Sequence, residues 1–261
     1  MFNEFNYTSK TGTRPLIAKN DPLLALSLLT RLPVKLADDA FGRSAQAAWA
    51  YPLVGFVTGA LSGGAGLLAL WLGLPSVIAA ILCLVTGIII TGAMHEDGLA
   101  DCADGFWGGW DPEMRLKIMK DSQIGTYGVL ALLISFSLRL AVLTQIFEGS
   151  GAFWTVIAVH VAARAVMPGI MALLPLARDN GLSARVGSIS ISAAWVSGAI
   201  GAVTLLVVFG PLSALALVAS AFGACLIGAR IALAKIKGQT GDVIGAHQQV
   251  TEITLYLALI A

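Results

Sequence analysis

Charge is scarce in this sequence. Asp, Glu, Lys and Arg make up 12% of its 261 residues, and 16 basic against 15 acidic side chains leave a net charge of +1. No basic stripe is present that could neutralise a run of phosphates, which argues against a nucleic-acid binder. Cysteine is equally sparse. Cys83, Cys102 and Cys225 lie far apart, two of them inside apolar runs, so neither a disulfide framework nor a metal-ligand spacing is indicated. Residues 1–20 are polar and lack the apolar core of a signal peptide, so nothing marks them for cleavage. What the chain has in excess is apolar surface: 57% of residues are hydrophobic and the mean hydropathy is +0.84, far above a water-soluble domain of this size. The expected fold class is all-α, a polytopic membrane helix bundle of about six to seven transmembrane helices behind an N-terminal interfacial or re-entrant helix. After the polar arm, residues 21–261 read as a single transmembrane domain.

The interfacial helix comes from DPLLALSLLTRLPVK at 21–35, with an Asp cap, Pro22 in the first turn and Arg31 and Pro33 interrupting a leucine-rich stretch. It is too short to cross. Crossing segments fall at about 46–73, 75–94, 126–147, 152–176, 192–209 and 211–233, the first entering through Trp49 and Tyr51. A last apolar piece at 253–261 is too short to cross unless 248–252 enter the membrane as well. Gly55, Gly59, Gly63, Gly64 and Gly66 in the first span predict close helix contact. The arm and the loops 95–125, 177–191 and 234–250 carry Lys and Arg, whereas the turns near 73, 149 and 210 carry none. The charged loops are therefore expected in the cytoplasm.

Against this background the run HEDGLADCADGF at 95–106 stands out. In a helix Asp97, Asp101 and Asp104 share one face at i, i+4 and i+7, and like charges so placed repel. A hard cation relieves that repulsion, because Mg²⁺ takes carboxylate oxygens and completes its shell with waters or substrate phosphates. The stripe is read as a metal platform for a phosphate-bearing substrate; a solvated acidic loop is the alternative. Arg115, Lys117 and Lys120 follow, opposite in sign. In PLARDNGL at 175–182, Arg178 suits forked phosphate contacts, although a positive-inside anchor also accounts for it. Residues 236–252 add Gly238, Gly241 and Gly245 with Asp242, His247 and Glu252, a weak signal for a phosphate-cradling turn. Arg139 and Arg164 lie inside spans, while Arg230 can snorkel. His160 sits one turn from Arg164, giving either a polar pocket or a pair that only holds the bundle together.

HEDGLADCADGF, IMKDSQIGTYG, PLARDNGL and TGDVIGA, with TRLPV and YPLVG ahead of them, resemble the cobalamin (5′-phosphate) synthase family, the adenosylcobinamide-GDP ribazoletransferases. The likeness covers nearly the whole chain beyond residue 20 and keeps the HxDGLADxxDG frame, with Glu96 and Cys102 at its variable positions. It implies a transferase of the bacterial inner membrane that joins adenosylcobinamide-GDP to α-ribazole or α-ribazole 5′-phosphate, releases GMP and requires Mg²⁺. On that reading Asp97, Asp101 and Asp104 hold the metal, and Asp121 belongs to the substrate site with the option of joining them. Lys120 and Arg178 offset phosphate charge, Asp242 joins the substrate site, and His95 or a carboxylate takes the ribazole proton. For His95 a purely structural hydrogen bond is the alternative. The implied partners are the two substrates and the lipid bilayer, with a homo-oligomer or an assembly with other cobalamin-pathway enzymes compatible with the reading. The acidic element also loosely resembles CDP-alcohol phosphotransferases, but Asp101 stands where their motif has Arg and their later acids are missing. A small-molecule transporter is the competing class, and would keep its key carboxylates inside spans.

Overall fold

The computed structural model describes residues 15–261, so most of the polar arm at 1–20 lies outside the described residues. The described chain is helical, and its β contact is a single bridge between Leu176 and Gln239. A short α1 (Asp21–Leu29) and two 3₁₀ turns (Asp38–Arg43 and Gln46–Ala50) lead into α2 (Tyr51–Trp71). There follow α3 (Ser76–Thr91), α4 (Met94–Gly108), α5 (Pro112–Ile118), α6 (Thr126–Glu148), α7 (Ala152–Ala165) and α8 (Met167–Leu173). The chain ends with α9 (Leu182–Val186), α10 (Ile191–Ile236) and α11 (Gly241–Ile260). Among the described residues, four helical stretches are long and apolar enough to cross a membrane: Gln46–Trp71, Thr126–Glu148, Ala152–Leu173 and Ile191–Ile236. The α3–α4 pair makes a fifth only if counted as one broken span.

The 46 residues of α10 would reach roughly 69 Å if straight. They do not run straight. Ala193 shares a cluster with Ala232 and Ile236, while Leu205, Ala214 and Leu217 share another, so the helix doubles back on itself. The reversal falls at Gly210, whose φ of 77° suits glycine, followed by Pro211, which cannot donate to the preceding turn. Each arm is then long enough to cross, as the segments at 192–209 and 211–233 predict.

The second expected span is shorter than 75–94. It stops at Thr91, where Gly92 (φ 65°) and Ala93 (φ 58°) both turn left-handed and set α4 at 88° to α3. The acidic segment expected within the 95–125 loop is thus a helix lying across one end of the bundle, called the rim below. The last segment also departs from its short reading. α11 is one continuous 20-residue helix in which Gln248, Gln249 and Glu252 are buried. Those polar residues enter the bundle and find partners there.

Packing explains the glycines of α2. A Cβ on Gly55 would fall 2.5 Å from the His160 carbonyl oxygen, and one on Gly59 would fall 2.7 Å from the Ile157 Cα, so α2 and α7 touch backbone to backbone. Gly64 faces open space. Overpacking a tight contact costs about 1–3 kcal/mol. Gly59→Leu should therefore lower the melting temperature of the purified protein by several degrees, while Gly64→Leu should leave it unchanged. Equal melting temperatures for the two variants would remove the α2–α7 contact from the explanation.

Candidate active site

Two close approaches build the site. At the rim α4 crosses the start of α11, where a Cβ on Gly98 would lie 2.6 Å from the Asp242 carbonyl oxygen and one on Gly245 would lie 3.2 Å from the His95 Cα. With no side chains in the way, the first turn of α11 rests on α4 and brings Asp242 into the field of Asp97 and Asp101. The second approach is a zip between two loops. The Ala177 N–H donates to the Gln239 carbonyl (2.9 Å) and the Gln239 N–H to the Pro175 carbonyl (2.8 Å). The Ser183 hydroxyl reinforces it by donating to Gln239 Oε1 (2.7 Å). The Pro175 carbonyl occupies the place a Cβ of Gly238 would need, so this glycine serves chain packing rather than a phosphate cradle. The zip delivers Arg178 to Asp242, with Nη2 donating to Oδ2 at 3.0 Å. Thr240 caps α11 by accepting the Val243 N–H (3.3 Å) and donates to the same Asp242 oxygen (3.1 Å).

The resulting group is crowded with negative charge. Burial, followed by the charges of Asp97, Asp242 and Asp104, pushes the Asp101 carboxyl up to about 7, against the pull of Arg178. Burial also raises Asp242, opposed chiefly by Arg178. Asp97 is exposed at the edge of the group. Arg178 uses one nitrogen on Asp242, while its Nε and Nη1 are buried with no hydrogen-bond partner. A guanidinium left with two unfilled donors beside clustered carboxylates is equipped to take an oxyanion in a forked contact. Among the described residues, no three His, Cys, Asp or Glu side chains are grouped to hold a metal ion by themselves.

Asp104 is placed differently from Asp97 and Asp101, although its charge still acts on Asp101. Its Oδ2 accepts the Gly125 N–H (2.7 Å) and its Oδ1 the Gly128 N–H (2.9 Å). Asp104 therefore caps the N-terminus of α6, whose first N–H groups lack partners within the helix. Helical spacing put it on the right face; the next span covers that end of the face. His95 turns the other way. Two residues from Asp97 is about 200° around a helix, so His95 points into the bundle, is 1% exposed and has no partner at Nε2. Lys120 and Asp121 are exposed on the linker before α6, and among the described residues no ion pair ties them to the carboxylate group. The Asp121 carboxylate accepts the Gln123 N–H (3.1 Å).

His95 lines a buried cavity of about 20 Å³ with Glu96, Arg139, His160, Arg164, Gln249 and Glu252, room for about one water. Arg139 pairs with Glu252 (3.2 Å) and Glu96 (3.5 Å), and Gln249 also donates to Glu96 (3.1 Å). Sequence reasoning singled out both arginines and His160 but not Glu96, although its place on the inward side of α4 was a readable signal.

Two substitutions separate these roles. Asp104→Ala should lose about 2–3 kcal/mol of stability, because two charge-assisted hydrogen bonds to N–H groups at the start of α6, one of them buried, vanish. Unchanged thermal stability would return Asp104 to the open face. For Asp101 the sign is reversed. Its folded carboxyl holds a proton up to about 7, above the unfolded value near 3.9, so stability falls as pH rises between them and stays lowered above. Asp101→Asn should raise the melting temperature at pH 8 in divalent-free buffer and give no gain at pH 4. A loss at pH 8 would mean that the carboxylate is not crowded.

The family model described as cobalamin-5-phosphate synthase matches residues 21–260. The adenosylcobinamide-GDP ribazoletransferase of Bradyrhizobium diazoefficiens is 43% identical, over 92% of this chain and 93% of its own. Those of Mesorhizobium japonicum and Azorhizobium caulinodans are 41% and 40% identical, over 91% and 90% of this chain and 92% and 93% of theirs. No solved structure matches the chain. Since the matched region takes in every helix that builds the rim, from α1 to α11, the chain belongs to the cobalamin-5-phosphate synthase family.

Proposed function

We propose that this chain is an adenosylcobinamide-GDP ribazoletransferase whose reaction takes place at the rim, on Asp97, Asp101, Asp242 and Arg178. The relatives' names supply the substrates. The observation that carries the placement is Arg178, held by Asp242 yet with two buried donors unfilled beside the carboxylates. In the reaction a ribazole hydroxyl oxygen bonds to the phosphorus nearer the cobinamide. The P–O bond to the guanylyl phosphate breaks, its electron pair leaves with GMP, and the hydroxyl proton passes to solvent. Arg178 orients the diphosphate through a fork and offsets its charge. Asp242 fixes the guanidinium, and the 175–178 and 237–240 loops fix both.

Mg²⁺ fits this donor set. Mg²⁺ is commonly held by one or two carboxylates together with waters and substrate phosphates rather than by a full protein cage. Asp97 and Asp101, with Asp242 beside them, would hold it, and when bound it neutralises charge on the diphosphate. The orientation with the rim in the cytoplasm of a bacterial inner membrane is supported by cations on the rim loops, including Arg115, Lys117, Arg178, Arg185 and Lys237, against none in the turns at 72–75 and 149–151. A transporter reading is less well supported: Glu96 and Glu252 do lie inside the bundle, but around a cavity with space for one water.

The test is GMP release by the protein in nanodiscs. Asp97→Asn and Asp242→Asn should each lower turnover by about a hundredfold or more, and Arg178→Ala should raise the KM for the GDP-linked donor by about tenfold or more. Near wild-type turnover in both Asp variants would remove the rim as the seat of the reaction.

A further inference from the structure

A second polar concavity at the rim shares Asp97 with the carboxylate group. It measures about 470 Å³ and is lined by Ser27, Thr30 and Arg31 at the end of α1, and by Thr91, Ala93 and Asp97 around the α3–α4 break. The segment after α1 is fixed there, because the Arg31 N–H donates to the Ile90 carbonyl at 2.7 Å. The Arg31 side chain then lies across Gly92, where a Cβ would fall 2.5 Å from Nε. Gly92 therefore has two reasons to be glycine, its φ of 65° and the arginine on top of it.

Nothing among the described residues receives this guanidinium. Arg43 is held by Asp21, and Arg115 donates to the Gly109, Trp110 and Lys235 carbonyls. Arg31, by contrast, is exposed in the cleft with no ion pair or side-chain hydrogen bond. The same wall carries the start of α4, whose first turn holds the acids Glu96 and Asp97 and whose Asp97 N–H already donates to the Ala93 carbonyl at 2.8 Å. Arg31 is therefore the cation among the residues lining the cleft, with Asp97 the carboxylate at its edge.

We propose that this cleft takes the guanylyl end of the donor, with Arg31 on the phosphate next to guanosine. The proposal rests on the ribazoletransferase reading given above and adds the donor's orientation to it. Size decides which end enters. A volume near 470 Å³ lies in the range of small-molecule sites, about 300–1,000 Å³. A nucleotide fits it, and a corrin ring with its amide side chains does not. The cobinamide therefore stays outside, and Asp97, at the junction, lies beside the diphosphate. When the bridging P–O bond breaks, the electron pair and new charge reside on GMP, where Arg31 offsets them.

The experiment measures GMP binding by calorimetry to the intact protein in nanodiscs, together with donor and ribazole KM values. Arg31→Ala should weaken GMP binding by about tenfold or more and raise the donor KM, leaving the ribazole KM alone. Arg31→Lys should recover part of the loss, since it keeps the charge without the fork. Both variants keep the backbone bond to Ile90, and their melting temperatures check the fold. Photolabelling of the wild-type protein with 8-azido-GMP needs no variant, and should mark peptides containing residues 27–31 or 91–97. Wild-type GMP affinity in a folded Arg31→Ala protein, or labelling confined elsewhere, overturns the cleft assignment even if Asp97→Asn abolishes turnover. Arg31-dependent GMP binding in a protein that releases no GMP from the donor would instead uphold the cleft and sink the transferase reading.

Discussion

Two helix backbones touching at Gly98 and Gly245 are the constraint on which the rest of the rim depends. Where α4 and α11 cross, neither presents a side chain, and only that closeness lets Asp242 reach the charges of Asp97 and Asp101 from 140 or more positions away in sequence. Such an arrangement works against folding, since like charges are gathered and partly buried. Something must hold α4 in place. Glu96 does so from the inward side, bound to Arg139 of α6 and Gln249 of α11, while Asp104 fastens the far end by capping α6. Breaking a buried pair such as Arg139–Glu252 leaves an uncompensated charge, which is why this inner layer can restrain a helix that its outer face would push away.

The bundle divides by depth. One apolar cluster lies at the rim, with Tyr51, Phe106, Met167 and Val243, and another at the opposite end, with Leu143, Phe147, Leu205 and Tyr256. The polar side chains of α4, α6, α7 and α11 meet around the buried cavity, where Thr58 also contacts His160 Nδ1 (3.2 Å). A membrane interior makes such groups find each other, because lipid offers no alternative partner. The proposed site and the anchoring groups thus occupy adjacent faces of one helix: Asp97 and Asp101 outward, His95 and Glu96 inward.

What the sequence disclosed follows from the range of each physical signal. Hydropathy and length located four stretches among the described residues long enough to cross, fewer than the six to seven helices expected, and the turn expected near 210 is where α10 reverses, because these are local properties. Helical spacing placed Asp97, Asp101 and Asp104 on one face, but spacing along one helix says nothing about what covers that face, and α6 covers Asp104. The Arg178–Asp242 contact joins residues 64 apart and depends on the bridge between Leu176 and Gln239, which no periodicity announces. Gln248, Gln249 and Glu252 made α11 look too polar to enter the bundle until Arg139 and Glu96 supplied their partners. Arg31 read as an interruption in a leucine-rich segment, since its meaning comes from the cleft beyond it.

The central claim is that carboxylates from α4 and α11 act on one cation together with the donor's phosphates. Electron paramagnetic resonance with Mn²⁺ in place of Mg²⁺ tests it directly, reading the metal's coupling to phosphorus in the intact protein with GDP. A shared grip predicts little tight Mn²⁺ binding without the nucleotide, and with it a bound ion showing phosphorus coupling that disappears when Asp97 and Asp242 are both replaced by Asn. Tight Mn²⁺ binding that ignores the nucleotide, or a phosphorus-coupled ion untouched by that double replacement, would contradict it.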